Sequence, residues 1–244
     1  MNKYVVITRP LEDSENFSKK IEGLGLKVFL YPTIEIGDNE IPDVFLENLK
    51  NSDWVVFTSR NGVKYFLEKA GKKLLSQKKI AAVGPKTRDE LTINNLAVDF
   101  IPSKFTTKDL GEEIPINAGE KIFLPRANIA SKALTEILEK RGAVVFNVPI
   151  YQTKLIAKRS KELEEMFLKK QISLITFTSP STIEGFFRGF NDEKIKLKIL
   201  DCPVLCIGPV TEKKAKEVGF KKVFVAESFT TDGMINKLSQ MEYN

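Results

Sequence analysis

Phe57-Thr58-Ser59-Arg60-Asn61-Gly62 is matched further along the chain by Phe177-Thr178-Ser179-Pro180-Ser181-Thr182. In both places an apolar, strand-like run gives way to hydroxyl side chains and a helix start. Two more phrases recur in the same order. Val83-Gly84-Pro85-Lys86-Thr87 is answered by Ile207-Gly208-Pro209-Val210-Thr211, and Phe105-Thr106-Thr107 by Phe229-Thr230-Thr231. The interval between copies is nearly constant, so the chain reads as an internal duplication. Strand ends of this kind are where open α/β sheets bind ligands. Two copies suggest a ligand held in a cleft between two similar domains.

A chain of 244 residues is long enough for two domains, each with its own core. The rest of it alternates between short apolar runs and amphipathic stretches. Expected strands include Tyr4–Thr8, Lys27–Tyr31, Trp54–Thr58, Ile80–Val83, Val98–Ile101, Lys121–Leu124, Val144–Val148, Ser173–Thr178 and Val204–Ile207. Their continuous apolar character suits parallel strands covered on both faces. Val63, Phe66, Leu67 and Ala70, and likewise Ile183, Phe186, Phe187 and Phe190, recur at helical spacing and predict core-facing stripes. Gly25 and Gly142 stand where left-handed helix ends are expected. Thr33–Pro42 and Tyr151–Lys158, polar and extended, are the linker candidates. They predict a discontinuous domain of residues 1–33 plus 154–244 and a continuous one of 38–148, joined by linkers at 34–37 and 149–153.

Composition narrows the chemistry. There is no histidine, and the two cysteines lie in Cys202-Pro203-Val204-Leu205-Cys206. Four residues of strand separate them by about 13 Å, too far for a disulfide, so buried thiols are expected. A histidine-dependent hydrolase is excluded, and neither a metal nor a cofactor is expected. Neither a P-loop nor a dinucleotide-binding glycine pattern is present. The net charge of +6 favours anionic partners. The lysines are dispersed, not interleaved with aromatics, so a small polyanion is expected and nucleic acid is not. No apolar run approaches the roughly 18 residues of a membrane span. The first residues read as a strand, not an export signal, so a cytoplasmic setting is expected.

The candidate binding groups follow from the repeated turns. Thr58 and Ser59, with Arg60 behind them, open one helix; Ser179, Ser181 and Thr182 open its counterpart. Side-chain oxygens there cap the helix, and its first amides attract carboxylates. Thr87 and Thr211 occupy equivalent places after the glycine-proline turns. Arg9 and Arg126, each near a strand end, are candidate carboxylate clamps. Thr106-Thr107 and Thr230-Thr231 read as helix caps. Tyr151, in Pro149-Ile150-Tyr151-Gln152-Thr153, is a candidate proton donor, a weak one with an ordinary phenol pKa of about 10, or else a packing aromatic.

The ordered set Thr8-Arg9-Pro10, Phe57-Thr58-Ser59, Val83-Gly84, Leu124-Pro125-Arg126, Tyr151-Gln152-Thr153, Phe177-Thr178-Ser179-Pro180-Ser181 and Ile207-Gly208-Pro209-Val210-Thr211 resembles the uroporphyrinogen-III synthase family over nearly the whole chain. The resemblance implies an α/β fold of two similar parallel-sheet, flavodoxin-like domains joined by a two-stranded linker. It implies hydroxymethylbilane as substrate, cyclised to uroporphyrinogen III with inversion of ring D through a spiro intermediate. No cofactor is implied; a monomer is expected, with transient contact to the preceding enzyme of the pathway. By the same resemblance Tyr151 assists departure of the hydroxyl, Thr87 and Thr211 face the ligand, and Ser59, Ser179 and Ser181 hold carboxylates. Arg60 has no counterpart at Pro180. The alternative reading is a non-catalytic two-domain binding protein for a small polyanionic ligand.

Overall fold

The computed structural model describes residues 3–156 and 159–241. Of the Tyr151–Lys158 stretch, Ala157 and Lys158 therefore lie outside the described residues. Among the described residues the strands are β1 (Tyr4–Ile7), β2 (Lys27–Leu30), β3 (Ile34–Asp38), β4 (Trp54–Phe57), β5 (Lys79–Ala82), β6 (Lys121–Ala127), β7 (Val144–Leu155), β8 (Ile172–Phe177), β9 (Val204–Cys206) and β10 (Val223–Val225). The helices are α1 (Glu15–Glu22), α2 (Phe45–Asn51), α3 (Arg60–Ala70), α4 (Pro85–Ile93), α5 (Thr107–Glu113), α6 (Ala133–Lys140), α7 (Lys161–Leu168), α8 (Pro180–Arg188), α9 (Glu193–Asp201), α10 (Pro209–Val218) and α11 (Thr231–Ser239). The chain divides into two compact units. Unit 1 comprises Met1–Glu35 and Lys154–Asn244; unit 2 is Ile36–Thr153.

Unit 1 holds a five-stranded sheet in the order β10-β9-β8-β1-β2, every neighbour parallel. The chain runs outward from β1 to β2, then returns and runs the other way through β8, β9 and β10. The order reverses between β8 and β1. The second sheet has the order β3-β7-β6-β4-β5, with β4, β5, β6 and β7 parallel, and its reversal falls between β4 and β6. The repeated phrases pair β8 with β4 and β9 with β5, and sheet order then pairs β1 with β6 and β2 with β7. The two sheets are thus one pattern entered at different points of the chain. The second sheet departs in two places: β3 adds an edge strand beside β7, and the strand expected at Val98–Ile101 is reduced to a single bridge, Phe100 to Ala81. Asp99 is the reason for the latter. Its carboxylate accepts from the Ile80 amide at 2.7 Å and takes up a donor that a continuing ladder would need.

Successive residues of a strand face opposite sides of a sheet, so both faces need cover. In unit 1, Val6, Ile175, Phe177 and Val204 pack with Phe186 and Phe190 of the α8 region. Val5, Ile7, Leu174 and Leu205 pack on the other face with Phe17, Ile21, Met234 and Leu238. In unit 2, Val55, Phe57 and Phe123 meet Phe45 and Phe66, while Trp54, Val56 and Ile122 meet Leu110, Leu134 and Leu138. The predicted stripes are therefore core, with Val63, Phe66, Ile183 and Phe186 fully buried. Gly25 and Gly142 adopt φ of 77° and 86°, the left-handed conformation that ends a helix.

Both cysteines are free and buried. Burial pushes each thiol from 9.0 up to about 12, and pushes the Tyr31 phenol from 10.0 up to about 12. In the unfolded chain these groups ionise at their ordinary values while the folded unit keeps them neutral. The stability they supply is complete below about pH 9 and is lost as pH rises towards 12. Thermal denaturation followed across this range is expected to show a flat midpoint through neutral pH and a fall beginning near about pH 9. Replacing Cys202 and Cys206 together by alanine should make that fall shallower. A midpoint that holds steady to about pH 11 would contradict the burial of all three groups.

Candidate active site

In unit 2 the reversal of strand order places the ends of β4 and β6 side by side, and β7 runs next to β6. After Phe57 the chain turns into α3 with Ser59, not Thr58, as its cap: Ser59 Oγ accepts from the Gly62 amide at 2.9 Å. Gly62 is needed because a Cβ there would lie 3.1 Å from the Pro125 carbonyl oxygen. The first turn of α3 thus rests directly on β6. Pro125 has no amide to offer at that point of the ladder.

Tyr151 lies inside β7, a strand that continues to Leu155 and takes in the stretch expected to be a linker. Ala127 pairs with Tyr151 in register, and the Asn128 amide donates to the Tyr151 carbonyl at 3.0 Å. Asn128 Oδ1 also accepts from the Thr153 amide at 2.9 Å, which extends the pairing beyond β6. The Tyr151 hydroxyl is 3.0 Å from Ser59 Oγ, and its ring stacks on Tyr65. Burial raises the phenol pKa, while the Ser59 hydrogen bond and the nearby Arg126 cation oppose the rise. At neutral pH the group is a protonated donor.

Arg126 is 5 % exposed. Its Nε and Nη1 make no hydrogen bond, and among the described residues no carboxylate is ion-paired with it. Burial pulls its pKa below the ordinary value, with Tyr151 acting in the opposite sense; a guanidinium stays charged nonetheless. A buried cation without an anion costs several kcal/mol, so such a group is normally paired. The arrangement is one that an incoming carboxylate would complete.

Unit 1 repeats the frame with different fittings. Ser179 caps α8, accepting from the Thr182 amide at 3.3 Å, and its Oγ lies 2.8 Å from Ser181 Oγ. Thr182 closes a capping box by accepting from the Ser179 amide at 3.3 Å, also donates to the Ser179 carbonyl at 2.7 Å, and is fully buried. Its hydroxyl is committed to the turn. Arg9, at the end of β1, sits where Arg126 sits in unit 2, but it is paired with Asp13 at 3.3 Å and lies over the Phe17 ring. The two arginines, alike in sequence, are therefore electrostatically different.

Thr87 and Thr211 occupy equivalent positions in the first turns of α4 and α10, and both are buried. The glycines before them serve a packing need. A Cβ on Gly84 would lie 3.1 Å from Phe105, and one on Gly208 would lie 3.3 Å from Phe229. Each repeated Phe-Thr-Thr phrase thus packs its phenylalanine against the repeated glycine-proline turn of the same unit. Thr106 and Thr230 cap α5 and α11. Arg60 is the first residue of α3, half-buried, and Thr58 is half-buried just before the cap.

Tyr65 and Asn128 were not legible as site residues. Tyr65 lies off the apolar stripe of α3, and only its spacing from the Ser59 cap marks it. Asn128 is legible only as a polar residue after a strand.

The family model for uroporphyrinogen-III synthase HemD matches residues 15–236. The chain belongs to the uroporphyrinogen-III synthase family. It is 34% identical over 247 residues to the porphyrin biosynthesis protein HemD of Ruminiclostridium josui, an alignment covering 97% of this chain and 48% of that protein. The chain thus spans about half the length of that relative. It is 29% identical to a putative uroporphyrinogen-III synthase of Methanocaldococcus jannaschii, with 98% of each covered. Its fold matches a crystal structure of a mutant uroporphyrinogen III synthase from the extremely thermophilic bacterium Thermus thermophilus with a TM-score of 0.69 and 22% identity, covering 98% of this chain and 97% of that one. The Helicobacter pylori uroporphyrinogen-III synthetase matches with a TM-score of 0.63 and 20% identity, covering 98% and 99%. An α/β fold with two parallel-rich five-stranded sheets is thus that of the uroporphyrinogen-III synthases. Uroporphyrinogen-III synthase activity in tetrapyrrole biosynthesis goes with the membership. Among the described residues no helix is long and apolar enough to cross a membrane.

Proposed function

We propose that the protein cyclises hydroxymethylbilane to uroporphyrinogen III, with ring D inverted through a spiro intermediate, and that unit 2 carries the groups acting on the leaving hydroxyl. The observation that supports this most strongly is the buried Arg126, which has no ion-pair partner among the described residues, beside the protonated phenol of Tyr151. The substrate carries acetate and propionate arms. One of its carboxylates on Arg126 would satisfy the guanidinium and bring the bilane within reach of the Tyr151 hydroxyl.

Tyr151 then donates its proton as the hydroxyl departs as water, and the chain is left as a reactive cation. Ser59 Oγ, fixed by the Gly62 amide, holds the phenol oxygen in place. The protein's remaining work is to hold the cation in the bent shape that leads to inversion. Carboxylates are expected at the turn of Ser59 and Arg60 and at the Ser179 and Ser181 hydroxyls, with Thr182 shaping the latter turn. Thr58, Thr87, Thr211 and Arg9 remain proposed binding residues of lower weight, because three of them are buried or already partnered. Residues 34–37 and 149–153 are proposed as the two linkers between the domains.

The test is an assay in which the preceding enzyme supplies hydroxymethylbilane and the oxidised products are separated by isomer. The type III macrocycle is expected to predominate, against the type I isomer formed spontaneously. An unaltered isomer ratio at saturating protein would refute the reading.

A further inference from the structure

We propose that Tyr65 is a positioning residue that fixes the ring of Tyr151 for proton transfer, a role resting on the reading of Tyr151 as the donor. The two rings are stacked, with centroids 5.4 Å apart and planes 12° from parallel. This is an offset-stacked pair, a favoured geometry for two aromatic quadrupoles. The hydroxyl of the same ring is held at 3.0 Å by Ser59 Oγ. Ser59 caps α3, and Tyr65 lies on α3 beyond that first turn. One helix therefore grips Tyr151 twice, at its oxygen and on its face.

The need for a second grip follows from the soft torsion of a phenol ring. Rotation about the bond to the ring is broad and poorly restrained. A single hydrogen bond at the far end lets the ring plane swing about that axis, and with it the direction in which the proton is offered. A donor misplaced by about an ångström loses much of its effect. Contact over the ring face removes this freedom. It also keeps water from that face and so shares in the burial that holds the phenol protonated. Ser59 acts at the phenol oxygen and Arg126 through its charge, whereas Tyr65 lies on the face of a ring otherwise packed in the core of unit 2.

The full-length protein should be compared with Tyr65→Leu and Tyr65→Phe variants. Steady-state kinetics would be measured alongside a titration of tyrosine ring carbons by NMR, the Tyr151 signal being assigned by its loss in Tyr151→Phe. Tyr65→Leu is expected to lower kcat about five- to tenfold with KM within about twofold, and to move the Tyr151 titration down towards its ordinary value as water reaches the ring. Tyr65→Phe, which keeps the stack, should retain kcat within about twofold. In a Tyr151→Phe background, adding Tyr65→Leu should cost nothing more. The proposal is overturned if Tyr65→Leu leaves kcat and the titration unchanged. It is equally overturned if Tyr65→Phe is as impaired as the leucine variant, or if the loss is undiminished in the double variant. Wild-type kcat in Tyr151→Phe alone would instead sink the donor role, while the titration would still report whether Tyr65 holds the ring.

Discussion

Arg126→Met is expected to stabilise the protein and disable it in the same step. The guanidinium is 5 % exposed, and its Nε and Nη1 have no partner. Removing an uncompensated buried charge should raise folding stability by about 1–2 kcal/mol, or roughly 3–6 °C in Tm for units in a chain of this size. Methionine has similar length and fills irregular space, so little packing is lost. The loss falls on the ligand. A desolvated charge pair is worth about 2–5 kcal/mol to binding, so kcat/KM should fall about 100-fold or more. Calorimetry and the coupled isomer assay on one preparation would read both quantities. A variant of lower Tm with unimpaired turnover would mean that Arg126 serves the fold and not the substrate. The equivalent change at Arg9 is expected to behave differently, since its pairing with Asp13 already compensates its charge.

Tyr151→Phe should lower kcat at least tenfold and leave the fold intact, because a positioned general acid contributes about 10²–10⁴-fold. The stack on Tyr65 survives the change, and only the 3.0 Å contact with Ser59 is lost, a stability effect of about 1 kcal/mol. The pH dependence carries the sign. Burial raises the phenol pKa from 10.0, so the donor is protonated throughout the neutral range. The wild-type kcat should therefore show no loss attributable to this group until above about pH 10 and then fall as the phenol ionises. That alkaline limb should be absent from the variant. Turnover equal to wild type would take Tyr151 out of the mechanism.

Much of this was legible from local chemistry. A hydroxyl immediately before an amphipathic helix is a ready cap, and Ser59, Ser179, Thr106 and Thr230 all cap. Pro180 falls at the first helical position for the same local reason. The duplication announced two α/β halves because each copy carries its own turn chemistry. Thr33–Pro42 and the stretch after Pro149 read as polar, extended connectors, and β3 and β7 run through them. Pairing with a neighbouring strand satisfies a backbone that its own side chains do not mark as strand. Val98–Ile101 is where the strand reading errs, an apolar run whose ladder ends when Asp99 claims the Ile80 amide.

Turns, caps and core stripes were the sequence's to decide, since they depend on spacing along one segment. The difference between Arg9 and Arg126 was not. It arises because a carboxylate lies one helical turn from Arg9, while the fold brings Arg126 a phenol and, among the described residues, no ion-paired carboxylate. The grip of α3 on Tyr151 is likewise tertiary, joining residues far apart in the chain through the pairing of β6 with β7. Charge compensation and ring orientation are properties of what surrounds a side chain, and only folding assembles those surroundings.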